Sequence, residues 1–288
     1  MAIYLKLIAT MIIWGGTFIT GRILAEGVSP YVAAFLRFFI ASLFLVLLTI
    51  RKEGKLPAIP RSQFLPVTLL GLTGVFFYNI FFFKGLAHIP AARASLIIAN
   101  NPVFITLFAA LLFKERLSKK ALCGVLLSVT GAMVVITNGH VTQLMDLNLG
   151  PGELSIFVCV ASWICYSLIG KGVMRHMSPS ASVCYSSIIG ALFLFPFAVG
   201  HGLFETTFTP LHLVSLFYMG FFGTVLGFFW YYEGILALGP TRAGIFINIV
   251  PVSAILLAWL TLGEHVGLST CAGALFVITG VTLTNTSR

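Results

Sequence analysis

The sequence predicts an all-α integral membrane protein. Ten transmembrane helices are expected, as two inverted five-helix repeats around a central cavity. Three observations predict this. Hydrophobic residues make up 59% of the 288 positions and charged residues only 9%, where a soluble domain carries about 25% charged; mean hydropathy is +1.05. The apolar residues gather into ten runs, each near the ~20 residues that cross a bilayer. The chain also matches itself at a single offset of 149 residues.

So few charges cannot cover a water-facing surface, so the lipid bilayer is the expected surrounding. The formal net charge of +9 is no nucleic-acid signal, because the basic residues lie in short loops where membrane topology explains them. The five cysteines, Cys123, Cys159, Cys165, Cys184 and Cys271, all fall inside apolar runs. Their odd number and the lack of a C-x-x-C read as small apolar helix residues, not as a disulfide framework or a metal site.

The runs are 3–25, 31–50, 65–86, 91–113, 120–138, 152–172, 180–200, 211–236, 241–262 and 267–285. Backbone groups in lipid must bond within their own segment, so these are helices. A β-barrel would show alternating segments of ~10 residues, and none is present. The opening "MAIYLKLIATMIIWGGTFITG" begins like a signal peptide but has no A-x-A-like cleavage site after it. Its repeat partner lies mid-chain, so it is expected to stay as the first span. With an even span count, both termini share one side. That side takes 13 of the 17 basic residues, leaving only Arg22, Arg37, Lys84 and Arg93 elsewhere. The bias predicts cytoplasmic termini.

The 149-residue shift pairs Trp14 with Trp163, Pro30 with Pro179, Gly74 with Gly223, Arg93 with Arg242, Pro102 with Pro251, Glu115 with Glu264 and Gly131 with Gly280, without a gap. The repeats are 1–140 and 150–288. Five spans is an odd number, so the second repeat enters the membrane with opposite polarity. Inverted repeats of this kind are frequent in secondary transporters, where two halves rock about a site at their interface. A duplicated packing unit with no transport role is the plainer alternative.

Two stretches carry a family likeness: "NNPVFITLFAALLFKERLSKKALCGVLLSVTGAMVV" and "NIVPVSAILLAWLTLGEHVGLSTCAGALFVITGVTL". Each runs proline, apolar helix, glutamate, then two glycines seven apart. This resembles the tandem EamA-type domain of the drug/metabolite transporter superfamily, over essentially the whole chain. Within it, the chain is most similar to bacterial exporters of aromatic amino acids and methyl viologen. The resemblance implies a ten-helix bundle with a central cavity and export across the plasma membrane.

Substrate sites in such folds lie near the bilayer midplane. The candidate cavity residues are therefore the polar and amphipathic ones at span centres. They are Trp14, Tyr78, Asn79, Asn100, Asn101, Trp163, Tyr166, Tyr231, Asn248 and Ser253. Tryptophan and tyrosine usually collect at the membrane interfaces, so two symmetry-related tryptophans at mid-depth suggest rings that stack on substrate. Helix packing with a satisfied N–H is the competing reading. Pro102 and Pro251 each withhold a helix hydrogen bond and predict a bend. The asparagines read as one-sided chemistry for an asymmetric substrate, with glue between helices as the open alternative. The glycines of the fifth and tenth spans suggest packing or dimer-facing surfaces.

The acidic residues all sit at span ends or in loops, so no buried carboxylate is placed to couple protons. The first span lacks the central glutamate of the small four-helix multidrug members of this superfamily. Facilitated movement down a gradient is expected. Lys84 and Glu233 are repeat-related and are candidate gates at opposite ends. Arg37 is the only basic residue well inside a run and is read as snorkelling outward. Multi-anionic substrates would need clustered Lys or Arg. A compact amphipathic solute is expected, an aromatic or other apolar amino acid first and a drug-like cation second. No nucleophile elbow, P-loop or H-E-x-x-H is present, so no enzyme, cofactor or metal is expected. An intramembrane lipid-processing enzyme and a channel remain the alternatives from other classes, and the chain is a monomer or homodimer. A C-terminal tag in intact cells is expected to react with impermeant reagents only after permeabilisation.

Overall fold

Proline, hydroxyl and glycine residues set the helix ends. Four helices begin at a proline that follows a small or hydroxyl residue: Ser29-Pro30, Gly150-Pro151, Ser178-Pro179 and Thr209-Pro210. Proline suits the first helical position because its missing N–H would have no partner there. Ser178 and Thr209 also cap, accepting from the backbone N–H of Ala181 at 3.2 Å and of His212 at 3.2 Å. Gly54 and Gly263 close two helices with positive φ of 75° and 65°, a conformation open to glycine without a Cβ clash.

A computed structural model describes residues 2–101, 103–104, 118–137, 139, 149–238 and 246–286. Among these, every regular element is helical. The helices are α1 (Ala2–Gly27), α2 (Pro30–Glu53), α3 (64–88), α4 (Ala91–Ile98), α5 (Lys119–Ile136), α6 (Pro151–Val173), α7 (Pro179–Gly200), α8 (210–238), α9 (Ile249–Leu262) and α10 (Leu268–Asn285). Seven of them (α1, α2, α3, α5, α6, α7 and α8) are long and apolar enough to cross a membrane; α9 and α10 are shorter apolar helices. The predicted fourth span, 91–113, runs on beyond the described residues. Large apolar side chains face outward, among them Leu43, Leu47, Leu126, Leu192, Leu256 and Leu260. That exterior fits the all-helical, multi-span class.

Helices related by the 149-residue shift pack against each other. The end of α2 meets the start of α7, where the Glu53 carboxylate accepts from the hydroxyls of Ser178 and, at 2.6 Å, Ser180. The two helices therefore run antiparallel. The pair α5 and α10 does the same along four glycines. A Cβ on Gly124 would stand 2.6 Å from the Gly280 carbonyl oxygen, and one on Gly131 would stand 2.8 Å from the Gly273 oxygen. These glycines let two backbones touch inside one chain. They form an internal seam, which settles their role as packing rather than as a dimer face.

Two helices are interrupted at matching places. Gly71–Phe77 in α3 and Tyr218–Leu226 in α8 are wider π-helical turns. The shift carries 71–77 onto 220–226. Gly71 lies against the Ser186 carbonyl of α7, and Gly220 lies against the Arg37 carbonyl of α2; positions 37 and 186 are themselves a shifted pair. Sequence reading did not foresee these turns.

The bend expected at Pro251 also differs in place. Pro251 lies in the first turn of α9, directly after a tighter 3₁₀ turn at Phe246–Asn248. Its missing N–H therefore falls near a helix start, where it costs little. In the first repeat α4 ends at Ile98, and a turn at Ala99 and Asn100 follows. Pro102 lies outside the described residues. Gly280→Val at the seam is expected to force α5 and α10 apart and cost about 1–3 kcal/mol. Thermal unfolding in detergent measures it, with Gly172→Ala, which meets nothing within 4 Å, as the tolerated control.

Candidate functional site

The π turns of α3 and α8 and the middles of α2, α6 and α7 enclose a cavity of about 40 Å³. A water needs roughly 10–15 Å³ on this measure, so the cavity has room for a few waters. An aromatic amino acid enters only if it opens.

Much of its wall is made of repeat partners. Arg37 and Ser186, Phe38 and Ser187, Val75 and Thr224, and Asn79 and Phe228 all line it, and each pair is separated by 149 residues. The cavity thus straddles the local two-fold relation between the halves, while its chemistry is not two-fold. In three pairs a charged, aromatic or amide residue faces a hydroxyl or apolar one, and in the fourth, Val75 with Thr224, an apolar residue faces a hydroxyl.

Four of the predicted site residues meet here: Tyr78, Asn79, Trp163 and Tyr166. The Trp163 ring stands 5.4 Å from that of Tyr78 and 5.2 Å from that of Tyr166, spacings at which aromatic rings attract. Tyr166 fits because Gly74 offers no side chain against its ring. Asn79 is buried and its amide donates to the carbonyls of Val75 at 2.9 Å and Gly74 at 3.3 Å. These are oxygens that the π turn leaves within reach.

Arg37 is the residue sequence reading misplaced. It does not snorkel outward. Its guanidinium turns inward and donates through Nη1 to Asn79 Oδ1 at 2.9 Å and, through Nε and Nη2, to Thr224 Oγ1 at 3.4 and 3.3 Å. Thr224 in turn donates to the Met219 carbonyl at 2.9 Å, across the second π turn. The charge itself was the available signal, since an ionisable group inside a membrane span is a functional-site candidate by default.

Trp14 and Tyr231 stand behind the cavity wall. Trp14 donates to the Gly223 carbonyl at 2.9 Å, and its ring lies 5.6 Å from Phe228 and 5.3 Å from Tyr231. Ser253 is bonded to α1, donating to the Met11 carbonyl at 3.2 Å, and to its own helix at Val250, 2.9 Å.

The other asparagines do not line the cavity. Asn100 is buried, donates to the Leu96 carbonyl at 2.9 Å and accepts from Ser128 of α5 at 2.6 Å. Asn248 donates to Thr282 of α10 at 2.8 Å. In each repeat, then, an asparagine beside the helix interruption is tied to a hydroxyl of that repeat's last helix. Asn101 is also buried, and its Oδ1 has no partner among the described residues.

The candidate gates fall at opposite ends. Glu233 is paired with Lys6 at 2.7 Å. Lys84 donates to the Tyr31 hydroxyl at 3.2 Å and lies over that ring, 5.2 Å from its centre. The motif glutamate Glu264 accepts from the first N–H groups of α4, Ala91 at 2.8 Å and Ala92 at 3.2 Å. A carboxylate there satisfies donors that the helix leaves unpaired.

A multi-span helical bundle with a mostly apolar cavity, one cation in its wall, between antiparallel partner helices has the build of a membrane transporter. The chain belongs to the EamA-like transporter family, whose profile matches residues 1–137 and again 150–286. It is 28% identical to the uncharacterized transporter YyaM of Bacillus subtilis, over 97% of this chain and 92% of that one. It is 27% identical to a probable terminal-alkyne amino-acid exporter of Streptantibioticus cattleyicolor, over 97% and 92%. A solved crystal structure shares the fold with a TM-score of 0.70 at 20% identity, covering 98% of both chains.

Asn100→Ala and Ser128→Ala remove opposite ends of one buried bond. A double-mutant cycle on unfolding is expected to give a coupling of about 1 kcal/mol.

Proposed function

We propose that this protein is an alternating-access exporter of small amphipathic metabolites, with aromatic and other apolar amino acids as its substrates. The observation that carries the reading is the ring wall of Tyr78, Trp163 and Tyr166 in a cavity lined by repeat partners. Flat aromatic surfaces suit an apolar body, and the neighbouring amide and hydroxyl groups suit a polar end. The S. cattleyicolor relative's name, an amino-acid exporter, supports the same substrate class. A cationic drug is the second reading, and the inward charge of Arg37 counts against it.

The chain acts as two inverted five-helix repeats, 1–140 and 150–288, in the bacterial plasma membrane with cytoplasmic termini, as a monomer or homodimer. Opening alternates between the two ends. At the end bearing the termini, the Lys6–Glu233 pair closes the path, and at the other end the Lys84–Tyr31 contact does so. Such half-exposed contacts are worth at most about 1 kcal/mol, which suits a gate that must open. The acidic residues described lie near helix ends or in the turns beyond them, so transport runs down the substrate gradient without proton coupling.

Purified protein in liposomes, given a panel of amino acids and cationic dyes, tests this. Saturable counterflow of an aromatic amino acid, independent of a pH gradient, is the expected result. Trp163→Ala is expected to weaken half-saturation by roughly 10-fold, in line with the ~1–1.5 kcal/mol of a lost aromatic contact. Solute fluxes equal to those of empty liposomes, or a strict need for a pH gradient, overturn the corresponding part of the reading.

A further inference from the structure

Four cations lie away from the basic-rich loops: Arg22, Arg37, Lys84 and Arg93. Three have partners that account for them. Arg22 pairs with Glu26 at 3.3 Å, Arg93 with Glu153 at 2.9 Å, and Lys84 with the Tyr31 hydroxyl. Arg37 differs. It points into the cavity and has no carboxylate within ion-pair distance among the described residues.

What surrounds it is a cradle with an open side. A guanidinium has five N–H donors. Three are used, two of them on the single Thr224 hydroxyl at distances of 3.3 and 3.4 Å, long for such bonds. The cradle is stiff. The Asn79 amide nitrogen is held by two carbonyls, which turns its oxygen to Arg37. The Thr224 proton is committed to Met219, which leaves its lone pairs for Arg37. The residues are therefore arranged to aim the cation, not to neutralise it.

The second observation is Trp163. Its repeat partner Trp14 donates its indole N–H to Gly223. The matching acceptor for Trp163 is the Gly74 carbonyl, which is engaged by Asn79 instead. Among the described residues, the Trp163 N–H has no acceptor, and the ring lines the same cavity. A spare indole donor and spare guanidinium donors meet in one space that no carboxylate of the described residues lines.

We infer that Arg37 anchors a carboxylate of the transported molecule, so that the cargo is a monocarboxylate or zwitterion with an apolar body and not a cation. A carboxylate only accepts hydrogen bonds, and its two oxygens match the guanidinium fork. The rings of Tyr78, Trp163 and Tyr166 then take the apolar body. A second anionic group finds no second anchor, because Ser186 occupies the position related to Arg37. This inference rests on the proposed carrier reading, which it narrows.

Counterflow of radiolabelled phenylalanine in proteoliposomes tests it, with two competitors. Phenylpropionate keeps the carboxylate and lacks the amine; phenethylamine does the reverse. Phenylpropionate is expected to compete and phenethylamine to fail. R37Q is expected to weaken inhibition by phenylpropionate by a factor on the order of 10–100, with R37K between it and the parent. Equal competition by phenethylamine, or unchanged inhibition in a folded R37Q, overturns the anchor. The competitor series on the unaltered protein decides the question even where R37Q fails to fold. If phenylalanine shows no counterflow at all, the carrier reading for aromatic amino acids fails by itself. Thermal stabilisation of the detergent-solubilised protein by phenylpropionate then tests the anchor separately. Stabilisation that R37Q loses supports it, and no stabilisation of the unaltered protein overturns it.

Discussion

The hydrocarbon interior supplies no water, so each backbone group freed by an interrupted helix needs a partner from within the bundle. That requirement organises this structure. At the π turns of α3 and α8, the Asn79 and Thr224 side chains bond backbone carbonyls of the same helix. The interruptions near residues 99 and 248 sit beside Asn100 and Asn248, which tie their segments to Ser128 and Thr282. With Asn79 and Thr224 fixed by these bonds, their remaining lone pairs are aimed at Arg37. A charge in the bundle is thus oriented by groups already tied to the helices around it.

The duplicated plan explains both the place and the asymmetry of the cavity. Partner positions from the two repeats line it because α2 with α7, and α3 with α8, carry corresponding residues to the same depth. Partner positions carry different side chains, as Arg37 against Ser186 and Asn79 against Phe228 show. The scaffold stays close to two-fold while the chemistry is single, which is what a molecule with one polar end and one apolar end needs.

Much of this was legible in the sequence, and the illegible parts share a cause. Span positions were readable because apolar runs of about 20 residues mark them. Trp163, Tyr78 and Asn79 were readable as cavity residues because their depth follows from counting along a span. The direction of Arg37 was not readable, since inward and outward rotamers differ only in the neighbours they meet. Asn100 and Asn248 could not be told from cavity groups, because their acceptors and donors lie on helices about 28 and 34 residues away. The π turns have no sequence rule of comparable strength, although the paired glycines at 71, 74, 220 and 223 mark where the backbones approach.

The glycine seam between α5 and α10 bears on how such a molecule can move. Contacts made by long side chains yield by rotamer changes, whereas here backbone faces backbone at Gly124, Gly131, Gly273 and Gly280. The side chains that do enter the joint, such as Val135 and Thr284, are short. In the carrier proposed above, the seam would act as an axle: the two halves would swing about it at constant spacing, with displacement growing toward the cavity.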